Sequence, residues 1–192
     1  MNTQQTAGRV LVLGGARSGK SAFAERMLAH SPDARPVTYA ATAPRYPGDA
    51  EWAERIARHR RQRPAQWRTV ETGEEPGMLA ELLRGADGPV LADCLTLWLT
   101  SAMDAVDAWD ERAWNEGTAR AELARLTRAL VAAFAEAAGP VVLVSNELGF
   151  GLVPPDPGGR RFRDELGRLN QACAAAAADV HLVVAGLPLR LK

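Results

Sequence analysis

The sequence predicts a three-layer α/β domain in which helices cover both faces of a mostly parallel sheet of about seven strands. Short apolar runs that fit buried strands alternate with longer segments whose apolar residues recur at helical spacing. A glycine-rich segment, residues 14–19, stands directly between the first predicted strand and the first predicted helix. Since neither a repeat nor a linker divides the 192 residues, we expect one domain spanning residues 1–192.

The elements follow one another in a regular order. The predicted strands are residues 9–13, 37–42, 67–71, 89–93, 141–145, 180–184 and 189–191. The predicted helices are residues 21–30, 49–63, 78–84, a stretch through 95–99, 111–138 and 162–177. Proline ends the first two helices and Gly139-Pro140 ends the long one, while a loop rich in glycine and proline covers residues 149–159.

Composition narrows the function classes. The 23 basic residues balance the 23 acidic ones, which argues against a chain coated in nucleic acid or bound to an anionic membrane. The two cysteines, Cys94 and Cys173, have neither metal nor redox spacing, so we expect small buried or inert thiols. Because the polar N-terminus lacks a signal core and no apolar run approaches ~20 residues, we expect a cytoplasmic protein.

The glycine-rich segment has the spacing of a phosphate-binding loop, Gly-x4-Gly-Lys-Ser. Its residues, which we predict to bind nucleotide, are Gly14, Gly15, Ala16, Arg17, Ser18, Gly19, Lys20 and Ser21. Glycines let the backbone N–H groups turn toward phosphate oxygens, Lys20 can neutralise the β and γ phosphates, and the Ser21 hydroxyl can ligate Mg²⁺. Lysine is otherwise found only at position 192, so a chance lysine here is improbable.

A phosphate-loop enzyme also needs a carboxylate at the end of a neighbouring strand to hold Mg²⁺ directly or through water. Asp93 ends one apolar run and is our predicted second metal ligand beside Ser21. Glu147 follows another strand in a similar way and competes for the role. Asp93 could alternatively act as a helix N-cap ahead of Cys94.

The second predicted helix carries one histidine among five arginines, between Arg55 and Arg63. On pattern alone, this segment favours a solvated basic face with His59 against the apolar stripe of Trp52 and Ile56. A neutral imidazole could alternatively attack phosphorus while arginines shield the charge of a triphosphate. The other histidines, His30 and His181, are assigned no role.

Four stretches together resemble the bifunctional adenosylcobinamide kinase / adenosylcobinamide-phosphate guanylyltransferase family of cobalamin biosynthesis. They are the phosphate loop, residues 55–71 with Arg55-Ile56-x-x-His59, residues 145–154 beginning Ser145-Asn146-Glu147, and residues 162–171. The resemblance covers nearly the whole chain. The second and third stretches, in this order and spacing, are far more specific than the first.

The resemblance implies two reactions and the residues that serve them. A nucleoside triphosphate, ATP or GTP, phosphorylates the hydroxyl of adenosylcobinamide; GTP then gives GMP to a histidine, with release of pyrophosphate, and the GMP passes to the cobinamide phosphate. By position, the histidine is His59, and Lys20 is the second catalytic residue. The further nucleotide contacts implied are Ala41, Thr42, Ala43, Arg60, Arg61, Gln62, Arg63, Glu71 and Asp93. A homotrimer is also implied.

Two positions depart from the family pattern. Asp93 stands where a glutamate is familiar, which shortens the reach to metal or ribose by one methylene, and Arg58 stands where a second histidine can occur.

Two other classes of function stay open at this stage. One is a phosphate-loop kinase of another small molecule without guanylyl transfer; the other is a nucleotide-dependent switch or binding module, although no Asn-Lys-x-Asp base-reading motif is present.

Overall fold

The computed structural model describes residues 8–31, 33–45 and 48–192, and the side chains of Arg55, Arg58, His59 and Gln62 lie outside that description. Its strands are β1 (Arg9–Gly14), β2 (Thr38–Ala41), β3 (Arg68–Glu71), β4 (Val90–Asp93), β5 (Val141–Asn146), β6 (Asp179–Val184) and β7 (Leu187–Arg190). Its helices are α1 (Lys20–Ala29), α2 (Ala50–Gln62), α3 (Pro76–Gly85), α4 (Leu95–Ala105), α5 (Glu111–Asn115), α6 (Thr118–Glu136) and α7 (Pro157–Ala176). The predicted α/β class is confirmed.

Within the described residues the strands form one sheet in the order β3-β2-β4-β5-β1-β6-β7. Every neighbouring pair from β3 to β6 is parallel, and only β7 runs antiparallel to its neighbour β6. The carboxyl ends of six strands therefore lie along one edge of the sheet. Open parallel sheets bind their ligands at this edge, where the loops after the strands meet.

Alternation along the central strands divides the core into two layers. Val10 and Val12 of β1 pack on one face with Ala24 and Leu28 of α1. The opposite face of the sheet, which includes Leu11 and Leu13 of β1, packs against helices α3, α4, α6 and α7. Burial on both faces explains why β1, β4 and β5 are almost continuously apolar rather than alternating.

The turn from β1 into α1 is closely packed. A Cβ atom at Gly14 would lie 2.4 Å from Ser18 Oγ and 2.7 Å from the Val183 carbonyl oxygen. The Gly186 N–H, in the turn between β6 and β7, donates to the Ser18 carbonyl at 2.8 Å. Gly19 has φ 90° and precedes the helix, a conformation that glycine adopts without steric cost. The loop is thus held from outside by the β6–β7 hairpin.

Two helix boundaries differ from the sequence prediction. The helix predicted over residues 111–138 is broken into α5 and α6 by Gly117, whose φ of 88° lies in the left-handed region. The helix predicted from residue 162 begins instead at Pro157, because Asp156 caps it by accepting a hydrogen bond from the Gly159 N–H at 2.6 Å. In the described part of the chain, no helix is both long and apolar enough to cross a bilayer.

We expect Gly14→Ala to lower the free energy of unfolding by about 1–3 kcal/mol, because the added methyl group meets a backbone oxygen that cannot rotate away. Gly15 offers a matched control, since a Cβ there would meet no atom within 4 Å. Gly15→Ala should stay within about 0.5 kcal/mol of the wild type in urea unfolding followed by circular dichroism. Equal losses in the two variants would contradict the packing described for Gly14.

Candidate active site

A cleft of about 360 Å³ opens at the carboxyl edge of the sheet, between the glycine-rich loop and α2. Its lining residues include Ala16, Arg17, Lys20, Ser21, Tyr39, Ala41, Ala43, Arg45, Trp52, Ile56, Arg60, Arg63, Glu71, Asp93, Cys94, Thr96, Leu97 and Asn146. Strands β2, β3, β4 and β5 each contribute the residue at their carboxyl end. The topology therefore collects residues that are up to 130 positions apart in the chain (16 and 146) into one site.

The glycine-rich loop turns through a left-handed residue at Arg17, with φ 57°, before Gly19. The Ser18 N–H closes the turn onto the Gly15 carbonyl at 3.3 Å. Lys20 is the first residue of α1, and its Nζ donates to the Gly15 carbonyl at 3.2 Å. Because the first N–H groups of a helix have no partner within it, this end of α1 can bind an anion.

Ser21 and Asp93 face the same cleft from different elements, the first turn of α1 and the end of β4. The Tyr39 hydroxyl donates to Asp93 Oδ2 at 2.9 Å, which fixes the carboxylate from one side. A hydroxyl and a carboxylate are hard oxygen donors of the kind that Mg²⁺ prefers, and phosphate oxygens and water usually complete its shell. The two predicted metal ligands therefore line the same cleft and carry oxygen atoms of the kind that suits Mg²⁺.

Glu147, the alternative carboxylate, is placed differently. Its N–H donates to the Gly14 carbonyl at 3.2 Å, while its Oε1 accepts from the Gly149 N–H at 2.6 Å. The carboxylate thus serves the loop after β5, and Glu147 is absent from the described lining of the cleft. Of the two candidates, Asp93 has the better position for the metal role.

Tyr39 is a site residue that the sequence analysis missed. The Arg63 guanidinium lies 3.6 Å from the centre of its ring, and Arg63 Nη1 donates to Thr69 Oγ1 at 3.2 Å. Burial raises the pKa of the Tyr39 phenol, and the nearby Asp93 charge raises it further. The phenol stays protonated and keeps donating to Asp93. The only available signal was its place on β2, two residues before Ala41 and hence on the same face.

Helix α2 borders the mouth of the cleft. Asp49 caps it by accepting from the Trp52 N–H at 2.8 Å, and Trp52 Nε1 donates to the Pro44 carbonyl at 2.8 Å. Glu71 at the end of β3 pairs with Arg45, and its Oε1 lies 3.8 Å from Arg60 Nη1. Trp52 thus joins the start of the helix to the loop after β2, and Arg60 places a positive charge near the end of β3.

Several predicted nucleotide residues do not line the cleft with their side chains. Thr42 is buried, and its hydroxyl donates to the Cys94 carbonyl at 2.7 Å. Arg61 is exposed and donates to Glu54 at 2.9 Å. His59 lies on α2, three positions after Ile56 and four before Arg63, but its side chain, like that of Gln62, lies outside the described residues.

Glu25 is a further acidic residue near Asp93, although it is not among the described residues that line the cleft. It lies one helical turn after Ser21 on α1, and burial raises the pKa of its carboxyl, with the Asp93 charge as the next contribution. Spacing of four residues on one helix could have indicated it.

Both cysteines are buried, as predicted. Burial raises the pKa of the Cys94 thiol to about 11, with a further contribution from the Asp93 charge, and burial raises the pKa of the Cys173 thiol to about 12. Neither thiol is a nucleophile near neutral pH.

Two solved structures of similar fold and low sequence identity are ATPases. An ATPase from the type III secretion system of pathogenic bacteria aligns with a TM-score of 0.55 and 14% identity over 96% of this chain. The ATPase EscN from enteropathogenic E. coli aligns with a TM-score of 0.52 and 13% identity over 94% of this chain. The aligned region spans only 57% and 43% of those longer proteins. The predicted α/β fold, with a phosphate-binding loop after the first strand of a mostly parallel sheet, is thus also the fold of these ATPases.

Sequence relatives are much closer. The bifunctional adenosylcobalamin biosynthesis protein CobP of Pseudomonas aeruginosa is 46% identical over 96% of this chain and 97% of its own length. The corresponding CobU proteins of Salmonella typhimurium and Escherichia coli are 38% and 41% identical, each over 95% of this chain and 99% of their own length. Residues 10–191 match the family described as cobinamide kinase / cobinamide phosphate guanyltransferase. Because the family match and the three relatives each span almost the whole chain, this protein belongs to the cobinamide kinase / cobinamide phosphate guanyltransferase family.

Proposed function

We propose that this protein is a bifunctional enzyme of cobalamin biosynthesis. It phosphorylates adenosylcobinamide with ATP or GTP, and then transfers GMP from GTP to the phosphorylated product. The products are adenosylcobinamide-GDP and pyrophosphate. Family membership over residues 10–191 supports this assignment of both activities.

The observation that carries the proposal is the composition of the cleft. It joins Lys20 and Ser21 of the phosphate loop to Arg60 of α2 and Arg63, the residue directly after α2, in a single volume. The first pair suits the β and γ phosphates of a triphosphate, and the second pair lies at the carboxyl end of α2, the helix that carries His59. We infer that a single nucleotide site serves both reactions, with one triphosphate giving its γ-phosphate in the first and a second molecule, GTP, giving GMP from its α-phosphate in the other.

In the kinase step, the substrate hydroxyl displaces the nucleoside diphosphate from the γ-phosphorus. Such transfers depend on positioning and on neutralisation of charge more than on a strong base. Lys20 neutralises phosphate oxygens, and the N–H groups at the start of α1 bind them. Ser21 and Asp93 would hold Mg²⁺, which neutralises charge on the β and γ phosphates when bound.

In the guanylyl step, we assign His59 as the nucleophile. Its neutral imidazole would attack the α-phosphorus, pyrophosphate would leave, and the phosphate of adenosylcobinamide phosphate would then take the GMP. Covalent catalysis of this kind replaces one difficult displacement by two easier ones. Arg60 and Arg63, which line the cleft, would neutralise the triphosphate and so reduce its repulsion of an incoming nucleophile.

The remaining assignments complete the proposal. The nucleotide-binding residues are residues 14–21, 41–43, 60–63, Glu71 and Asp93, and those that lie back from the cleft, such as Thr42, would act through the backbone or by support. The partners are the nucleotides, adenosylcobinamide and its phosphate. We also propose a cytoplasmic homotrimer, which the family resemblance supports.

Replacing Lys20 should separate nucleotide binding from folding. We expect Lys20→Ala to lower kcat/KM for phosphorylation of adenosylcobinamide about 100-fold or more, because it removes a cation from the β and γ phosphates. The other lysine is the control: Lys192 Nζ donates to the Ala177 carbonyl at 2.6 Å, remote from the cleft. In isothermal titration, Lys192→Ala should retain the wild-type affinity for GTP, whereas Lys20→Ala should bind GTP more weakly. Equal affinities in all three proteins would contradict the assigned phosphate loop.

The histidine assignment can be tested with GTP labelled at the α-phosphate. We expect the wild type to acquire an acid-labile label that survives a denaturing gel, because a phosphorus–nitrogen bond to histidine is stable to denaturant and labile to acid. His59→Ala should lack the label, and His30→Ala, which alters a histidine at the end of α1, should keep it. Phosphorylation should persist in His59→Ala. If the wild type phosphorylates substrate but never becomes labelled, the enzyme is a kinase without guanylyl transfer.

A further inference from the structure

Asn146 is the last residue of β5, the strand that lies between the phosphate loop and Asp93. β5 pairs with β1 on one side and with β4 on the other, so it separates the strand that feeds the phosphate loop from the strand that carries Asp93. In the parallel register, Asn146 lies opposite Gly14, the last residue before the loop. It also lines the cleft, although no reading of the sequence assigned it a role.

The backbone of Asn146 is held from two sides. Its N–H donates to Thr96 Oγ1 at 3.1 Å, and its carbonyl accepts from Asn170 Nδ2 at 3.0 Å. Thr96 belongs to α4 and Asn170 to α7, so two helices fix the position of this one residue. A side chain with its backbone anchored in this way can present its carboxamide in a defined direction.

The carboxamide itself is incompletely bonded. Asn146 Oδ1 is shielded from solvent, and no donor reaches it from the described residues. A buried acceptor without a donor is unfavourable, and native proteins keep few of them. In a cleft that receives a substrate, the missing donor can come from the substrate.

We propose that Asn146 Oδ1 accepts a hydrogen bond from the substrate hydroxyl that is phosphorylated. This inference rests on the proposed kinase activity and adds a catalytic residue to it. The hydrogen bond turns the hydroxyl oxygen toward the γ-phosphorus, beside Lys20. A neutral carboxamide suits the place better than a carboxylate, because a second negative charge next to Asp93 would repel the triphosphate.

The chemical balance of the step is simple. The hydroxyl oxygen forms a bond to the γ-phosphorus, the bond from that phosphorus to the β–γ bridging oxygen breaks, and the nucleoside diphosphate leaves with the electron pair. The carboxamide is too weakly basic to keep the hydroxyl proton, which passes to an oxygen of the new phosphate and on to water. Asn146 thus orients the nucleophile and is unchanged at the end.

This role predicts a separation of the two activities. The guanylyl step takes place at the α-phosphorus, and its acceptor already carries a phosphate in place of the hydroxyl. Loss of the Asn146 carboxamide should therefore slow the first reaction and spare the second. Ser145 provides a matched control, because its buried Oγ also lacks a partner, but strand alternation turns it away from the cleft.

The experiment compares the wild type with the variants Asn146→Ala, Asn146→Asp and Ser145→Ala. Phosphorylation of adenosylcobinamide is measured separately from GMP transfer to synthetic adenosylcobinamide phosphate. We expect Asn146→Ala to lower kcat for phosphorylation about 100-fold, the scale of a misplaced nucleophile, with GMP transfer within about threefold of the wild type. Asn146→Asp, which keeps the shape and an acceptor oxygen, should recover part of kcat and raise KM for the nucleotide. Ser145→Ala should match the wild type in both reactions.

Three results would overturn the inference. One is an unchanged kcat for phosphorylation in Asn146→Ala. Another is a parallel loss of both reactions in Asn146→Ala and Asn146→Asp, which would mean that the residue serves nucleotide binding or folding. The third is a kcat in Asn146→Asp no higher than in Asn146→Ala. Failure of the proposed function itself is distinct, since the wild type would then perform neither reaction.

Discussion

The parallel pairing of β5 with both β1 and β4 is the constraint on which the site depends. It sets the spacing between the phosphate loop and Asp93 at two interstrand distances, roughly 10 Å. It also sets how far along the strands Asp93 lies from the start of the loop. Asp93 is opposite Val144, whereas Gly14 is opposite Asn146, two residues further along β5. Asp93 is thus recessed by roughly 7 Å along the strands, which leaves room above it for phosphate oxygens. A shift of one residue in either pairing would reverse the faces of the strand and remove this arrangement.

Much of the fold could be predicted because its signals are local. Apolar runs such as residues 141–145 and the spacing between Gly14 and Lys20 need no information about distant parts of the chain. The boundary at α7 was missed for a local reason: Gly158 and Gly159 resemble loop residues, yet Asp156 and Pro157 are a stronger helix start. Gly117 was similarly hidden inside an apolar pattern that continues through both helices.

The candidate site was only partly predictable, since much of it arises from contacts between distant segments. Tyr39 reads as an ordinary strand residue until Asp93 and Arg63 are placed around it, 54 and 24 positions away along the chain. The zero net charge likewise gives no indication of the cleft, whose described lining carries five cationic side chains against the carboxylates of Glu71 and Asp93. The balance over the whole chain conceals a strongly cationic pocket suited to a polyanion.

The hydrogen bond from Gly186 to Ser18 has a consequence for the order in which the protein can mature. The phosphate loop is encoded within the first 21 residues, yet its outer support comes from the hairpin at residues 179–190, and β6 is also a direct neighbour of β1. A ribosome-bound chain therefore contains the complete loop sequence long before that loop has its native support. We therefore expect the loop to reach its nucleotide-binding geometry only after residues 179–190 have joined the sheet.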